Sequence, residues 1–466
     1  MNFNELFCTR TPLLDADNPE EKREEVLNYF HKTFDIYEQL FEAFADTSAM
    51  YQKADPLRHP LIFYYGHTAT FYINKLIISK VLNNRIDPQL ESMFAVGVDE
   101  MSWDDLNTSH YDWPSVAAVT RYRDKVRQTV DSLIKTLPLN LPIGWENPFW
   151  IILMGIEHER IHLETSSVLI RQVSLQSLKP ISSWNLCTDS APAPENLLIS
   201  VEGRQLRINK SFNDPIYGWD NEYGTHKVYV QPFKASQYLC SNGEFLHFVE
   251  AGGYQMQKYW TVEGWNWKSY TEAGHPLFWV KEGNKWKLRL VFNKMEMPWN
   301  WPVEVNYLEA KAFCNWKSEQ TGLPIRLLSE DEWFVLYLNA NIPDQPYWKN
   351  APGNINMEHF QSPCPVDKFR FDKFYDLIGN VWQWTETPIN GFDGFKIHPA
   401  YDDFSTPTFD TKHNLIKGGS WISTGNEANG SSRYAFRRHF YQHAGFRYVE
   451  SLNAVAIPQN IYETDP

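Results

Sequence analysis

The sequence predicts a multidomain protein, with an N-terminal four-helix bundle followed by an irregular C-terminal α+β domain. Three observations favour this fold class. The first third of the 466 residues carries four long stretches with helical patterns. Most of the 19 tryptophans lie beyond residue 200, among short β-like runs and turns. A Pro-rich stretch separates the two regions. We predict a bundle over 1–175, a linker over 176–200, a second domain over 201–455 and a tail over 456–466.

The first two predicted helices differ in how their apolar residues are arranged. The first helix follows Asn18, a capping residue, with Pro19 at its first position and Glu21 at its third. Apolar side chains from Val26 to Phe44 then recur at helical spacing. The second helix covers residues 61–82 and is apolar all round.

The third and fourth predicted helices complete the bundle. The third follows Trp113-Pro114 and covers 115–137, and the fourth begins at Asn147-Pro148 and runs to residue 172. We expect long amphipathic helices, and the facing side chains of such a bundle are where metal sites are built.

The predicted second domain is rich in loops and aromatic residues. β-like runs occupy 226–230 and 287–291, and a clear helix covers 305–320. The linker before it contains the Ala-Pro-Ala-Pro run 191–194.

Composition excludes several classes of protein. A net charge of −14 disfavours nucleic-acid binding, which needs clustered basic side chains. No apolar run approaches about 20 residues, and the acidic N-terminus does not resemble a signal peptide, so we expect no membrane association. The five cysteines are scattered, which predicts reduced thiols in a cytoplasmic protein.

The stretch GIEHERIHLETS at 155–166 carries the strongest chemical signal. At 100° per residue, His158 and His162 share one face of the fourth helix and could hold one ion. Glu164 lies well off that face, so a role beside the ligands or on the surface suits it better. The same letters fit the H-E-x-x-H pattern of zinc peptidases, in which Glu159 would be the general base.

A third ligand has to come from elsewhere in the chain. The G-x-x-H extension of some zinc peptidases does not follow His162, and Glu195 lies in the linker. His67, in the middle of the second helix, is the better candidate because both helices belong to one bundle. Three neutral imidazoles could hold Fe(II) with open positions, or Zn(II), and spacing alone does not decide between them.

With these residues together, the chain resembles the sulfoxide synthases of thiohistidine biosynthesis. His67 and His158-x-x-x-His162-x-Glu164 match their DinB-like four-helix bundle. The second half resembles the formylglycine-generating-enzyme fold, a C-type-lectin-like domain, through GNVWQWTE at 379–386, KGGSW at 417–421 and GFR at 445–447. Longer segments resemble the 5-histidylcysteine sulfoxide synthases of ovothiol biosynthesis in particular. They are found at 56–76, 97–107, 155–172, 217–224, 297–318, 398–410 and 416–428.

The resemblance implies an activity and a set of site residues. Such enzymes use Fe(II) and O₂ to join the sulfur of L-cysteine to C5 of L-histidine as a sulfoxide. His67, His158 and His162 would hold the iron, and Tyr401 would match the active-site tyrosine. Amino-acid substrates carry carboxylates, so we expect arginines in the pocket. The four candidates are Arg121, Arg123, Arg437 and Arg438. We interpret the Gly- and Trp-rich motifs as fold signatures.

Several alternatives remain open from the sequence. One is a hercynylcysteine sulfoxide synthase of ergothioneine biosynthesis, which would use trimethylated histidine. Others are a zinc-dependent hydrolase or thiol transferase on the same bundle, and a non-catalytic protein with a structural His cluster. Ovothiol synthases commonly continue into a methyltransferase domain, and no nucleotide-binding fingerprint occurs here. The resemblance therefore implies either a separate methyltransferase or a sequence that is one part of a longer protein. It also implies a separate sulfoxide lyase as a pathway partner.

Overall fold

The computed structural model describes residues 9–95 and 112–452. The N-terminal part is a helical bundle. Its helices are α1 (Pro19–Glu42), α2 (Leu61–Ile78), α3 (Pro88–Met93), α4 (Val116–Thr136) and α5 (Pro148–Ile170). The four long helices predicted from the sequence are present, and the short α3 was not predicted. The segment 97–107, which contributed to the resemblance, lies outside the described residues.

The bundle helices begin where their capping residues predict. The side chain of Asn18 accepts a hydrogen bond from the backbone N–H of Glu20 at 3.0 Å, and that of Asn147 accepts one from Phe149 at 2.9 Å. These bonds satisfy N–H groups that have no partner within the helix. Helix α2 ends four residues earlier than predicted, since Lys80 adopts a φ of 58° and turns the chain away.

Helix α5 differs from the amphipathic helix that we predicted. Every side chain from Phe149 to Ile170 is buried except the half-buried Ile161. One side of α5 packs on the bundle, and the other packs on the C-terminal domain. A surface position for Glu164, one of the two roles that the sequence left open, is therefore wrong.

The second domain combines short helices with several small sheets. Its helices are α6 (Asn242–Glu250), α7 (Val262–Thr271), α8 (Tyr307–Thr321) and α9 (Glu330–Asn339). Its strands are β1 (Leu198–Val201), β2 (Arg204–Lys210), β3 (Gly224–Val230), β4 (Phe233–Ser236), β5 (Trp279–Glu282), β6 (Lys285–Arg289), β7 (Lys294–Glu296), β8 (Ile325–Leu327), β9 (Arg370–Phe371), β10 (Phe374–Tyr375), β11 (Trp382–Pro388), β12 (His413–Lys417), β13 (Tyr434–Arg437), β14 (Ala444–Gly445) and β15 (Tyr448–Ser451). The predicted β-runs fall in β3 and β6, and the predicted helix is α8.

Two four-stranded sheets organise this domain. One has the order β1-β4-β15-β8, and the other has the order β13-β12-β11-β14. Strands β11 and β12 are antiparallel, with Gln383 opposite Lys417, while β14 runs parallel to β11. The hairpin β2-β3 and the three-stranded β5-β6-β7 are separate sheets. The second sheet carries both motifs that we interpreted as fold signatures.

The glycines of these two motifs allow two backbone segments to lie close together. Gly379 has a φ of +77° and Gly418 a φ of +97°, values that favour glycine. The N–H of Gly379 donates to the carbonyl of Gly418 at 2.8 Å. A Cβ on Gly379 would lie 2.6 Å from the carbonyl oxygen of Asn354. The glycines therefore serve packing and turn geometry, as predicted.

The segment between α5 and β1 connects the two domains along the surface of the second. Apart from a single 3-10 turn at Leu175–Ser177, its described residues form no helix or strand. The backbone N–H groups of Asn185 and Cys187 donate hydrogen bonds to the side-chain oxygens of Gln361 and Ser362, so the segment is fastened to the second domain. None of the helices in residues 9–95 and 112–452 is both long and apolar enough to cross a bilayer.

Candidate metal centre and substrate cavity

Three histidines from two helices meet at the inner side of the bundle. His67 comes from the middle of α2, and His158 and His162 lie one turn apart on α5. Their candidate ligand nitrogens all lie within 4.8 Å of one another, and all three side chains are buried. The ring centroids are 4.5 to 5.1 Å apart. The convergence expected from the sequence is present in the structure.

Hydrogen bonding orients these rings toward a common point. Nδ1 of His67 lies 2.7 Å from the carbonyl oxygen of Phe94, which can only accept, so this nitrogen carries the proton and Nε2 offers a lone pair. Nε2 of His158 and Nε2 of His162 are 3.2 Å apart. Two lone pairs at that distance repel unless a proton or a cation lies between them. About 3 Å is also the separation of two nitrogens sharing one ion at about 2.1 Å.

Electrostatics keep the two α5 imidazoles neutral. Burial lowers the pKa of His158 well below its usual value, and the neighbouring His162 and His67 lower it further. Burial also lowers the pKa of His162, with smaller contributions from His67 and Arg58. Neutral imidazole is the form that ligates metals. The donor set therefore fits a divalent cation such as iron or zinc.

Glu159 does not face the histidine cluster. Its carboxylate pairs with Nη2 of Arg123 at 2.8 Å and accepts bonds from Thr68 and Tyr72 at 3.3 and 3.2 Å. All these groups lie on the opposite side of α5, inside the bundle. Glu159 is thus unable to activate water at the cluster, which removes the general base required by the zinc-peptidase hypothesis.

Glu164 instead fastens α5 to the second domain. Its carboxylate accepts hydrogen bonds from Trp382 Nε1 at 2.7 Å, Ser420 Oγ at 2.9 Å and Ser423 Oγ at 2.6 Å. Trp382 and Ser420 belong to the two Gly- and Trp-rich motifs, and Ser423 follows the second motif by two residues. Because α5 also carries His158 and His162, these bonds fix the position of the metal-ligand helix relative to the C-terminal half.

A cavity of about 730 Å³ opens beside the three histidines. Residues from α2 and α5 form one wall, and residues 401–413 and 433–437 of the second domain form the other. The volume suits a ligand of the size of two amino acids. Charged side chains of both signs line it, namely Arg58, Lys75, Arg85, Glu91, Asp402, Asp403, Asp410, Arg433 and Arg437.

The four arginines expected to bind substrate lie in different environments. Arg437 lines the cavity and is half-buried, and its side chain makes no hydrogen bond or ion pair with any residue that the structure describes. Arg438 is buried and bonded to Asn414, Glu263 and the Thr411 carbonyl. Its guanidinium is thus already engaged away from the cavity.

The two helix α4 candidates are also away from the cavity. Arg121 is exposed on the outer surface of the bundle. Arg123 is fully buried and bonded to Glu38 and Glu159. The positions of Arg121 and Arg123 therefore do not support a role in substrate binding. Helix periodicity alone could not show that α4 packs away from the cavity.

Tyr401 lies at the edge of the histidine cluster. Its ring centroid is 6.3 Å from that of His158 and 5.0 Å from that of Phe71, and it lines the cavity. The loop that carries it is held by Ser405, which hydrogen bonds to Asp220, and by the imidazole of His398, which accepts from the Ala400 N–H at 3.2 Å.

Two cavity residues were missed by the sequence analysis. Phe71 stacks on His158 at 3.6 Å with an interplanar angle of 7°. Lys75 is buried, with its ammonium 3.9 Å from the ring centroid of Tyr401. Both follow His67 on α2 at intervals of four residues, and this spacing could have identified them.

A Ser–His–Glu arrangement also occurs where α5 meets the second domain. Ser167 Oγ is 2.8 Å from His443 Nε2, and His443 Nδ1 is 3.1 Å from Glu304 Oε1. All three residues are buried, and Arg171 pairs with Glu304 at 2.6 Å. None of them lines the 730 Å³ cavity. We interpret this cluster as an interface network and not as a hydrolytic triad, because a substrate has no access to it.

The fold and the site define a two-domain protein in which a DinB-like bundle presents three histidines to a larger aromatic-rich domain. The chain belongs to the family of the sulfatase-modifying factor enzyme 1-like domain, which matches residues 187–452. Residues 29–166 match the DinB superfamily. The fold class expected from the sequence is therefore confirmed.

The chain is also similar to several characterised proteins over part or most of its length. Ergothioneine biosynthesis protein 1 of Schizosaccharomyces pombe is 24% identical over 438 residues, covering 86% of this chain and 52% of the relative. The chain thus spans about half the length of that protein. Hercynine oxygenase of Mycolicibacterium thermoresistibile is 24% identical over 398 residues, covering 81% of this chain and 83% of the relative. The formylglycine-generating enzyme of Mus musculus is 24% identical over 247 residues, covering 45% of this chain and 62% of its own.

Proposed function

We propose that this chain is a non-heme, Fe(II)- and O₂-dependent sulfoxide synthase that joins the sulfur of L-cysteine to C5 of L-histidine. The observation that carries the proposal is the meeting of three buried imidazoles beside a cavity that Tyr401 also lines. Its relatives named as hercynine oxygenase and ergothioneine biosynthesis protein support oxidative chemistry on a histidine derivative.

The reaction balances without an external reductant. The S–H bond of cysteine and the C5–H bond of histidine break, the C–S bond forms, and the sulfur gains one oxygen. These two oxidations release four electrons, and O₂ accepts all four, giving one oxygen to the sulfoxide and one to water. Fe(II) at the cluster would supply the one-electron chemistry with O₂ that amino-acid side chains lack.

Residues of the chain would perform the remaining tasks. His67, His158 and His162 hold the ion through neutral nitrogens. Tyr401, at the rim of the cluster, donates a proton from its hydroxyl during oxygen reduction. Arg437 offers a guanidinium to a substrate carboxylate. Phe71 covers the His158 ring and excludes water from that side.

A second candidate is the same reaction on trimethylated histidine, which would make the chain a hercynylcysteine sulfoxide synthase. The names of the relatives favour this alternative. A primary ammonium needs hydrogen-bond acceptors, whereas a quaternary ammonium prefers aromatic faces. Asp402 and Asp403 on the cavity wall favour the free amine of histidine. For ovothiol biosynthesis, a methyltransferase and a sulfoxide lyase would act as separate proteins on the product.

A product assay tests the proposal. Anaerobically iron-loaded protein is mixed with cysteine and O₂, and with histidine and its betaine in competition. We expect a mass equal to cysteine plus histidine plus one oxygen minus two hydrogens. His162→Ala is expected to lose bound iron and this product together, because two imidazoles leave the ion weakly held.

Exchange of the metal provides the control for the hydrolase and structural alternatives. Zinc-loaded protein is expected to give no coupled product, with or without O₂. Oxygen uptake that does not depend on either histidine compound would contradict the proposal. Preference for the betaine would support the second candidate instead.

A further inference from the structure

Helix α2 presents a stripe of three residues to the candidate metal centre. His67, Phe71 and Lys75 are spaced by four and so lie on one face of the helix. Phe71 stacks on His158 at 3.6 Å and meets the ring of Tyr401 at 5.0 Å and 65°. The stripe therefore connects the histidine cluster with the tyrosine loop of the second domain.

Lys75 ends this stripe in an unusual position for an ammonium group. Its side chain is nearly buried, and Nζ lies 3.9 Å from the ring centroid of Tyr401 and 5.2 Å from that of Phe71. A carboxylate oxygen of Asp403 lies 3.9 Å from Nζ of Lys75, and the Asp403 side chain is 63% exposed. The aromatic face of Tyr401 is thus a main partner of this charge.

A cation above an aromatic ring restrains that ring. The attraction acts on the face of the ring, so it opposes rotation of Tyr401 out of its position against Phe71. The attraction is larger for a desolvated cation, and the walls around Lys75 exclude most water. Trp219 and Phe404 contact the ring from other directions, with centroids at 6.1 and 5.0 Å.

We infer that Lys75 is a positioning residue for Tyr401, holding the phenol ring beside the three histidines from the far end of helix α2. This inference rests on the proposed function and extends it, because it assigns a residue of the bundle to control of a tyrosine in the other domain. When the ring is correctly held, the tyrosine hydroxyl meets the reacting oxygen, and the coupled product forms.

Loss of this restraint has a specific chemical consequence. Without a positioned proton donor, cysteine can instead take both atoms of O₂ and become cysteine sulfinic acid. That step is also a four-electron oxidation and needs no histidine. The share of O₂ consumption leading to sulfinic acid therefore reports on the position of Tyr401, whereas a general loss of structure lowers both products.

Two substitutions separate charge from size. Lys75→Met keeps the length of the side chain and removes the charge, and Lys75→Arg keeps the charge and its attraction to the ring. We expect Lys75→Met to lower kcat for the coupled product about tenfold and to raise the share of cysteine sulfinic acid. KM for cysteine and histidine should stay within about twofold. Lys75→Arg should restore most of the coupled product.

Lys125→Met is the matched control. It removes an exposed ammonium group from helix α4, at a position that does not line the cavity, so the product ratio should stay at the wild-type value. A KM for either amino acid raised tenfold or more in Lys75→Met, with an unchanged product ratio, would overturn the inference and make Lys75 a carboxylate-binding residue.

A second measurement does not depend on turnover. Crystal structures of the wild type and of Lys75→Met should show the Tyr401 ring displaced from Phe71 in the variant only. An unmoved ring overturns the inference whatever the kinetics. If the wild type forms no coupled product, the proposed function fails, and these two structures still decide whether Lys75 positions the ring.

Discussion

At the scale of single residues, two arginines of helix α4 differ in their environment: Arg121 is exposed, whereas Arg123 is buried. Its guanidinium lies 3.0 Å from Glu38 and 2.8 Å from Glu159, and it also bonds to the Tyr65 carbonyl and to Thr68. These partners come from α1, α2 and α5. Arg123 therefore joins three helices through a buried charge.

Removing that charge should destabilise the bundle. We expect Arg123→Met to lower the free energy of unfolding by about 3 to 5 kcal/mol, because Glu159 would remain buried without its cation. Thermal denaturation followed by circular dichroism measures the effect as a fall in Tm of several degrees. Arg121→Met, on the exposed face of the same helix, should change Tm by less than about 1 °C. Equal effects of the two substitutions would contradict the structural role of Arg123.

At the scale of secondary-structure elements, the start of α8 carries a buried carboxyl. Glu309 accepts a hydrogen bond from the Asn306 backbone N–H at 3.0 Å, and Asn306 accepts one from the Glu309 N–H at 3.0 Å. This reciprocal capping box fixes the first turn of the helix. Tyr254 also donates to Glu309 at 2.6 Å. Burial nevertheless raises the pKa of Glu309 from 4.5 to about 7.

This shift predicts a dependence of stability on pH. A carboxyl with a raised pKa binds its proton more tightly in the folded state, so its contribution is present below pH 4.5 and is lost as the pH rises toward 7. The loss is of the order of 3 kcal/mol. Glu164, whose pKa is also raised to about 7, titrates in the same range, so Glu309→Gln should reduce the loss of stability between pH 5 and pH 7.5 without removing it. Urea unfolding at the two pH values measures the difference. An unchanged pH dependence in Glu309→Gln would contradict this assignment, and exposed Glu250→Gln serves as the control.

At the scale of the whole molecule, α5 belongs to the cores of both domains. Glu164, Ser167 and Arg171 lie along one side of the helix and bond to residues of the second domain. Although burial favours the neutral form of Glu304, Arg171 and His443 lower its pKa to about 2, which leaves a charged network inside the interface. The hydrophobic core likewise continues from Trp150 to Tyr217 without interruption.

A shared core predicts that the two domains unfold together. Far-ultraviolet circular dichroism follows the helices, and near-ultraviolet circular dichroism follows the tryptophans, most of which lie in the second domain. We expect the two signals to give one Tm. Arg171→Met should lower both by the same amount, corresponding to about 3 kcal/mol, since Glu304 loses its cation. Two transitions separated by more than about 5 °C would show that the domains are independent.

The sequence by itself determined the local structure and the three histidines that meet beside the cavity. Capping residues such as Asn18 and Asn147 act within one turn, and so they predicted the helix starts to within a residue. The His158 and His162 pair follows from helix periodicity. His67 could be chosen because a bundle brings its helices side by side. The chemical types of these residues then restricted the possible functions.

Only the tertiary structure decided which faces the helices bury. Helix periodicity made Arg121 and Arg123 equal candidates for substrate binding, yet Arg121 is exposed and Arg123 lies at the centre of the bundle. Glu159 and Glu164 both lie on α5, yet Glu159 pairs with Arg123 inside the bundle, whereas Glu164 fastens α5 to the second domain. Lys75 gained its contact with Tyr401 across more than 300 residues of chain. Spacing along α2 could place Lys75 on the face of His67, but it could not show which residue of the other domain that face meets, because such contacts depend on how whole elements pack.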